Sequence, residues 1–393
     1  MKDDVNALRA DWTEPTAIRF GPGRIAELPA LCRDLGVGRP LFVTDGGLAD
    51  LGILRDAVAA CAAQGLKPGV FSELRSNPAM DDVEAGALAY RNGGHDGIVA
   101  FGGGTAMDAA KLVALRAGLP DTDPWTFEDT GAPRALPVGP PLPAVLAVPT
   151  TAGSGAEQRD RAVITDRDQR RKRVIRHPGL LPIAVIADPV LTIGLPPNLT
   201  AFTGLNALSH CLEAYCAPGF DPALDGLAAE GVRLVACGLC EATRDGNNLV
   251  ARARMMAAAG LGGRVFAKGF GAVQALSDPI TVLRKVHHGL ATAVLLPYVL
   301  RHNRDAVADR VARLAAYAGL ERPGLDGFVA WLLAMRQDLG VPHTLQGLGL
   351  TRADLPALAE DAARDPFLAT NPIPLTRTDV EAVYARALDG SLD

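Results

Sequence analysis

The run Phe101-Gly102-Gly103-Gly104-Thr105-Ala106-Met107-Asp108-Ala109-Ala110-Lys111 follows the strand-like segment Gly97-Ile98-Val99-Ala100 without a break. A strand that passes through three glycines into an alanine-rich helix brings unobstructed backbone N–H groups to a helix N-terminus. There, hydrogen bonds and the helix dipole stabilise pyrophosphate. The same glycines could equally form a tight turn. Upstream, Pro40-Leu41-Phe42-Val43-Thr44-Asp45 reads as a short buried strand ending in a carboxylate, followed by Gly46-Gly47. An acid in that place accepts hydrogen bonds from a ribose hydroxyl and repels a 2′-phosphate, which favours NAD and leaves NADP as the alternative. An Asx turn capping the next helix competes with that reading. A third segment, Val148-Pro149-Thr150-Thr151-Ala152-Gly153-Ser154-Gly155-Ala156-Glu157, gathers hydroxyls and glycines suited to wrapping a ribose and its phosphates. Together these runs nominate Asp45, Gly102, Gly103, Gly104, Thr105, Asp108, Lys111, Thr150, Thr151, Gly153 and Ser154 as cofactor-binding residues.

A second group lies in the C-terminal half. Asn206 and His210 are four residues apart, so on a helix they share a face, as do Gln274 and Asp278. His287 and His288 follow, with Arg284 and Lys285 just before them. Hydride delivery to a carbonyl builds negative charge on oxygen, and His210, His287, His288 or Lys285 could hold that charge or donate a proton to it. Packing between helices, or plain solvent exposure, explains each of the four equally well.

Val43-Thr44-Asp45, the Gly102–Lys111 and Pro149–Glu157 runs, Asp188-Pro189, Leu195-Pro196-Pro197 and Thr203-Gly204-Leu205-Asn206-Ala207-Leu208-Ser209-His210 occur in one order along the chain. This series resembles the group III, iron-containing alcohol dehydrogenase family, and the similarity extends through Asn371-Pro372. The resemblance implies an α/β Rossmann-like dinucleotide-binding domain, an all-helical C-terminal domain, a metal and substrate site in the cleft between them, and a homodimer. It also implies that Asn206, His210, Gln274 and His288 stand at the four metal-ligand positions, where relatives carry one Asp and three His. Here the first ligand is Asn and the third is Gln, while a further family histidine is replaced by Asp278. Maleylacetate reductases, a branch of the family, also carry Asn at the first position.

Changing a carboxylate to an amide removes the only formal negative charge of the set, and a glutamine oxygen is a poorer donor to iron or zinc than imidazole. The expectation is therefore a metal-free site in which Asn206, His210, Gln274, Asp278 and His288 are the catalytic candidates. The alternative is a two-histidine, one-carboxylate set made of His210, Asp278 and His288.

The elements that must carry these residues are visible as patterns. Strand-like runs at 41–44, 69–71, 97–100, 144–148 and 183–187 precede residue 190, and helical Ala/Leu/Arg segments dominate from Leu199 onward. With 393 residues and 48% apolar content, two cores are expected, divided as 1–187 and 188–393. A net charge of −5 argues against nucleic acid or an anionic membrane as partner. The charged start Met1–Val5 and the lack of a long apolar run point to a cytoplasmic protein whose six cysteines stay reduced. Cys237-Gly238-Leu239-Cys240 continues a helical run and reads as helix interior. Arg167, Arg170, Arg171, Lys172, Arg173 and Arg176 flank a hairpin or loop and read as a charged turn in preference to an anion site. Arg159, Arg161, Arg284 and Lys285 are surface charges or, alternatively, ligands for a substrate carboxylate or phosphate.

The functional expectation is a nicotinamide-dependent dehydrogenase or reductase of a small aldehyde, ketone or alcohol, with metal dependence reduced or lost. A redox-neutral enzyme of the dehydroquinate-synthase-like group, performing elimination, cyclisation or isomerisation, is one alternative. A non-catalytic dinucleotide-binding protein is the other.

Overall fold

The computed structural model describes residues 16–75, 77–130, 141–169 and 171–392. Met1–Val5 and Arg170, both used in the sequence reading, lie outside them. The chain divides into two compact units, one spanning Pro15–Gly194 and the other containing Leu195–Asp393.

The first unit is built on a six-stranded sheet in the order β1-β8-β5-β4-β2-β3, with every pairing parallel. Its strands are β1 (Ala17–Phe20), β2 (Pro40–Asp45), β3 (Gly69–Leu74), β4 (Gly97–Gly102), β5 (Ala144–Pro149) and β8 (Ala184–Ala187). Strands β6 (Arg161–Asp166) and β7 (Arg171–Arg176) form a separate antiparallel hairpin. Five sheet strands coincide with the apolar runs of the sequence. The sixth, β1, has only four residues, Ala-Ile-Arg-Phe, too short for any periodicity to register. Helices α1 (Leu28–Asp34), α2 (Gly46–Ala49), α3 (Gly52–Ala63), α4 (Met80–Asn92) and α5 (Gly104–Gly118) connect the strands.

Strand β4 is buried at every position, as expected of a central parallel strand covered on both faces. On one face Phe42, Val99, Phe101, Leu146, Val148 and Ile186 pack with Leu28, Leu54 and Cys61. Helix α5 is buried without interruption from Ala106 to Leu115, a run that includes Asp108 and Lys111. The chain moves outward from β2 to β3, then returns to lay β4 on the other side of β2 before continuing to β5. That reversal places the carboxyl ends of β2 and β4, Asp45 and Gly102, side by side where open α/β sheets bind ligands.

The arginine cluster is a network of ion pairs. Arg173 reaches Glu128 and Asp166, Arg167 reaches Asp81 and Asp82, Arg171 reaches Glu128, and Arg176 reaches Asp160. The guanidinium of Arg173 also lies 3.8 Å from the Trp125 ring centroid. These contacts bind the hairpin to the domain, in keeping with a structural role.

The second unit is helical: α6 (Pro197–Cys216), α7 (Pro222–Arg244), α8 (Leu249–Arg264), α9 (Ala272–Arg284), α10 (His288–His302), α11 (Arg304–Tyr317), α12 (Gly324–Asp338), α13 (Leu355–Ala362) and α14 (Arg377–Asp389). Helix α6 is buried on nearly every side, with α7, α8 and α10 packed around it. Cys237 and Cys240 lie inside α7, so the CxxC spelling is helix interior. Among the described residues no helix is long and apolar enough to cross a membrane.

Lys111 generates a pH prediction for the first unit. Burial pulls its amine down from the ordinary 10.5 to about 8, partly opposed by the nearby Asp108 carboxylate. Between those values the unfolded chain binds the proton that the folded chain has released, so stability rises with pH across the window, by on the order of 3 kcal/mol in full. Below about pH 8 both states are protonated and the penalty is complete. Chemical denaturation at several pH values should show this rise in the native protein and its disappearance in Lys111→Met; equal slopes for the two proteins would refute the assignment.

Candidate functional site

The nucleotide half-site begins at the end of β4. Gly102 has φ +150°, a conformation open to glycine and costly for other residues, and a Cβ there would sit 2.7 Å from the Cβ of Ala106. A Cβ on Gly103 would come within 3.2 Å of Thr151, and one on Gly104 within 2.7 Å of the Ser154 hydroxyl oxygen. The glycines are thus pressed against the loop after β5, which is tied to the turn by a bond from Thr150 N to Gly102 O at 3.0 Å. Gly103 is the N-cap of α5 and provides no side chain to satisfy the first amides of the helix, while Thr105 in that first turn is exposed. Uncapped N–H groups framed by glycine, Thr151 and Ser154 form a cradle for an anion. Gly153 and Thr150 are buried beneath it.

Asp45 caps α2 through Oδ1, which accepts from Leu48 N at 3.1 Å, and its Oδ2 lies 3.7 Å from the position a Gly102 Cβ would occupy. It therefore caps a helix and also borders the glycine turn. Asp108 and Lys111 are placed differently from the other cofactor candidates. Lys111 Nζ donates to the backbone oxygens of Ala156 and, at 2.8 Å, Arg161, while Asp108 Oδ2 accepts from Val163 N at 3.1 Å. Both are buried fasteners between α5 and the β5–β6 segment, with Asp108 Oδ1 3.6 Å from Lys111 Nζ. The sequence read them as part of the phosphate run because they share the helix, but they sit on its inward face.

In the helical unit, α6 carries Asn206, Ser209, His210 and Glu213, all buried. A Cβ on Gly289 would overlap the Phe202 carbonyl, so this glycine permits the N-terminus of α10 to rest on α6 close to Asn206. Helix α9 persists through Gln274 and Asp278, which share a face as the spacing suggested. Its first amides are capped from outside the helix: Asn371 Oδ1 accepts from Ala272 N at 3.1 Å, and Glu213 Oε1 from Val273 N at 2.7 Å. Burial pushes the Glu213 carboxyl up to about 8, against the lowering effect of the Val273, Gln274 and Gly271 amides and of the Gln274 side chain. Glu213 and Asn371 are structural determinants that the catalytic reading of the sequence did not single out. No spacing signal marks a cap supplied from a distant helix.

The five catalytic candidates meet through four of their number. Gln274 Oε1 lies 2.9 Å from His288 Nε2, and the other nitrogen of that ring, Nδ1, lies 3.2 Å from Asp278 Oδ1. Gln274 Nε2 donates to Ser209 Oγ at 2.9 Å, and Ser209 Oγ donates to the Asn206 carbonyl oxygen at 2.8 Å. The fifth, His210, is stacked on Phe270 with ring centroids 4.4 Å apart and planes at 9°. His287 caps α10, its Nδ1 accepting from Gly289 N at 3.1 Å. Arg161 and Arg284 are ion-paired with Asp129 and Asp354, whereas Lys285 is exposed and closes α9 with φ 54°.

This donor set does not fit an iron or zinc ion. Of the four positions that the family resemblance implies as ligands, Gln274 and His288 direct polar atoms at each other, and no carboxylate is among the four. Among the described residues no group of three or more His, Cys, Asp or Glu side chains is arranged to hold a metal, the set His210, Asp278 and His288 included. Asn206 Oδ1 is buried without a hydrogen-bond partner, an acceptor left open to a donor from outside the chain.

Comparison with known proteins is consistent along the chain. Residues 15–189 match the model of the iron-containing alcohol dehydrogenases, and residues 200–388 that of the C-terminal domain of the same family. A 4-hydroxybutyrate dehydrogenase of Cupriavidus necator is 36% identical over 387 residues, covering 96% of this chain and 98% of the relative. The crystal structure of a 1,3-propanediol oxidoreductase superposes with a TM-score of 0.91 at 32% identity, covering 96% and 99% of the two chains. That of a sulfoacetaldehyde reductase from Bifidobacterium kashiwanohense in complex with NAD+ does so at 0.86 and 30%, covering 98% and 99%.

The external cap on α9 is testable by itself. Glu213→Ala leaves a buried amide unsatisfied and should destabilise the helical unit by about 1–3 kcal/mol in denaturant melts. Glu213→Gln keeps an acceptor and should lose much less. Equal losses for the two variants would mean that the carboxyl does not act as a cap.

Proposed function

This chain belongs to the iron-containing alcohol dehydrogenase family, and from that premise we propose that it is an NAD-dependent oxidoreductase interconverting a small alcohol and its aldehyde or ketone, with metal dependence reduced or lost. The observation that carries the cofactor assignment is the Gly102–Gly104 turn pressed against Thr151 and Ser154 at the uncapped start of α5. The pyrophosphate binds there, and Asp45 at the end of β2 accepts from a ribose hydroxyl and disfavours a 2′-phosphate. The observation that carries the metal assignment is the mutual hydrogen bond of Gln274 and His288.

In the oxidising direction a C–H bond of the alcohol breaks with its electron pair, which passes as hydride to the nicotinamide, and the hydroxyl proton leaves to a base. In the reducing direction hydride adds to the carbonyl carbon, and the oxygen takes up a proton. With no carboxylate among the ligand positions, charge on that oxygen must be met by protein donors. The relatives named above are a 4-hydroxybutyrate dehydrogenase, a 1,3-propanediol oxidoreductase and a sulfoacetaldehyde reductase, and the first and last of these names carry an anionic group. 4-Hydroxybutyrate, the substrate named for the 36% identical relative, is therefore the first compound to try beside neutral 1,3-propanediol.

Fluorescence titration should detect NADH binding, and Gly104→Ala, whose new methyl meets Ser154, should weaken it about tenfold or more by displacing the cradle. Unchanged affinity in that variant would remove the glycine turn from the binding site. Protein purified without chelator should carry far less than one iron or zinc per chain, and its turnover of an alcohol panel should survive dialysis against EDTA. Near-stoichiometric metal, or loss of activity on chelation with recovery on adding iron or zinc, would overturn the metal assignment.

A further inference from the structure

The amine of Lys111 is fully buried, and burying a charge costs stability that an apolar side chain of similar length would not. What it holds in return lies directly behind the glycine turn. Its Nζ donates to the backbone oxygens of Ala156 and, at 2.8 Å, Arg161. Asp108, one helical turn earlier, accepts from Val163 N at 3.1 Å, so the pair clamps the segment from Ala156 to Val163 against α5. Ala156 in turn holds Ser154, its amide donating to Ser154 Oγ at 3.2 Å. That bond occupies an acceptor site of the hydroxyl and leaves its hydrogen to be given away. The same oxygen lies 2.7 Å from the place a Cβ on Gly104 would take, in the first turn of α5 whose uncapped amides form the anion cradle. A line of contacts thus runs from the ammonium through Ala156 and Ser154 to the proposed pyrophosphate site.

We propose that Lys111 is a positioning residue for the dinucleotide: its ammonium clasps the loop that carries Ser154 and so aligns the Ser154 hydroxyl with the start of α5, where it donates to the pyrophosphate. The inference rests on the NAD-dependent reading proposed above. Ser154 and the backbone amides touch the phosphates, and Lys111 acts through them. The charge is what makes the clasp firm. An ammonium has three hydrogens, enough for both carbonyls and for Asp108 Oδ1 at 3.6 Å, and bonds given by a charged donor are roughly twice as strong as neutral ones. A neutral amine has two hydrogens and no charge to strengthen them.

Loosening the clasp by pH follows from its position. Burial brings the Lys111 amine down to about 8, so raising the pH through that value removes the charge, and dinucleotide affinity falls as pH rises. The other charged groups on the elements around α5 are accounted for. On the loop itself stand Glu157, whose carboxyl is raised by burial, and Arg159, while Arg161 pairs with Asp129. On α4, Asp82 and Glu84 pair with Arg75 and Arg116, and on β6 Asp166 pairs with Arg173. Asp45 at the end of β2 caps α2, His177 accepts from Gly179 N, and β4 and β5 carry no ionisable side chain. A pH effect arising from Glu157 would survive removal of the lysine; one arising from the clasp would not.

Fluorescence titration of the full chain with NADH, repeated from about pH 6.5 to about pH 9.5, reads the coupling directly. In the native protein the dissociation constant should stay level at the acid end and rise about tenfold through an inflection near pH 8. Lys111→Met should bind NADH about tenfold more weakly at the acid end and show no inflection. Asp108→Asn removes the carboxylate that keeps the ammonium charged, and should move the inflection to lower pH, a displacement that mere loosening of α5 would not cause. Circular dichroism checks that each variant is folded, and the native profile stands as a test without them. A native affinity that stays level across the range, or an inflection that persists in Lys111→Met, would overturn this inference and leave the NAD-dependent reading intact. Failure of the native protein to bind NADH at any pH would overturn both.

Discussion

An amide oxygen accepts hydrogen bonds and cannot give one, and at Gln274 that asymmetry orders everything around it. Ser209 accepts from one end of the amide and so fixes which way it faces, leaving the amide oxygen 2.9 Å from His288 Nε2. The chain of bonds runs from a backbone carbonyl of α6 through the Gln274 amide of α9 to His288 at the start of α10. It holds only because the two helices are locked in place. Glu213 and Asn371 cap α9 from outside, and Gly289 brings α10 onto α6. Low dielectric strengthens each of these bonds and raises the cost of leaving any of them unmade.

The N-terminal unit meets a different requirement, the presentation of bare backbone amides at one point. Parallel pairing of β2, β4 and β5 brings Asp45, Gly102 and Thr150 to the same end of the sheet. Helix α5 must then be held firmly enough that its first turn does not fray. Lys111 and Asp108 do this from the inner face, joining the helix to the backbone of Ala156, Arg161 and Val163. A charged amine costs free energy to bury. Here it supplies donors to the backbone oxygens of Ala156 and Arg161, which would otherwise be left unsatisfied inside the domain.

Much of this could be read in the linear chain. Five of the six sheet strands, the helical second half, the ordered family motifs and the glycine turn were all legible because each depends on neighbours close in sequence. The cluster of basic residues from Arg167 to Arg176 was read as flanking a hairpin or loop, and the hairpin of β6 and β7 lies there. What escaped depends on residues that meet only in space. Strand β1 is recognisable by its pairing with β8 and not by its four residues. Asp108 and Lys111 looked like cofactor ligands because sequence shows which helix they are on but not which face is covered. The three departures in the C-terminal half were each visible as an oddity. That Gln274 faces His288, and that Asp278 stands 3.2 Å from the opposite nitrogen of the same ring, required coordinates.

The near-total burial of α6 limits how this enzyme can change. Asn206, Ser209, His210 and Glu213 stand among close-packed neighbours on a helix with little room on any side, so a residue of different size at any of them would disturb several contacts at once. Exchanging an acid for its amide alters almost no volume. Glutamine and histidine are also near enough in bulk to share a place. In such a setting the reactivity of the pocket can be retuned one electrical unit at a time while its outline stays the same, and lineages that part company in chemistry should still superpose in shape.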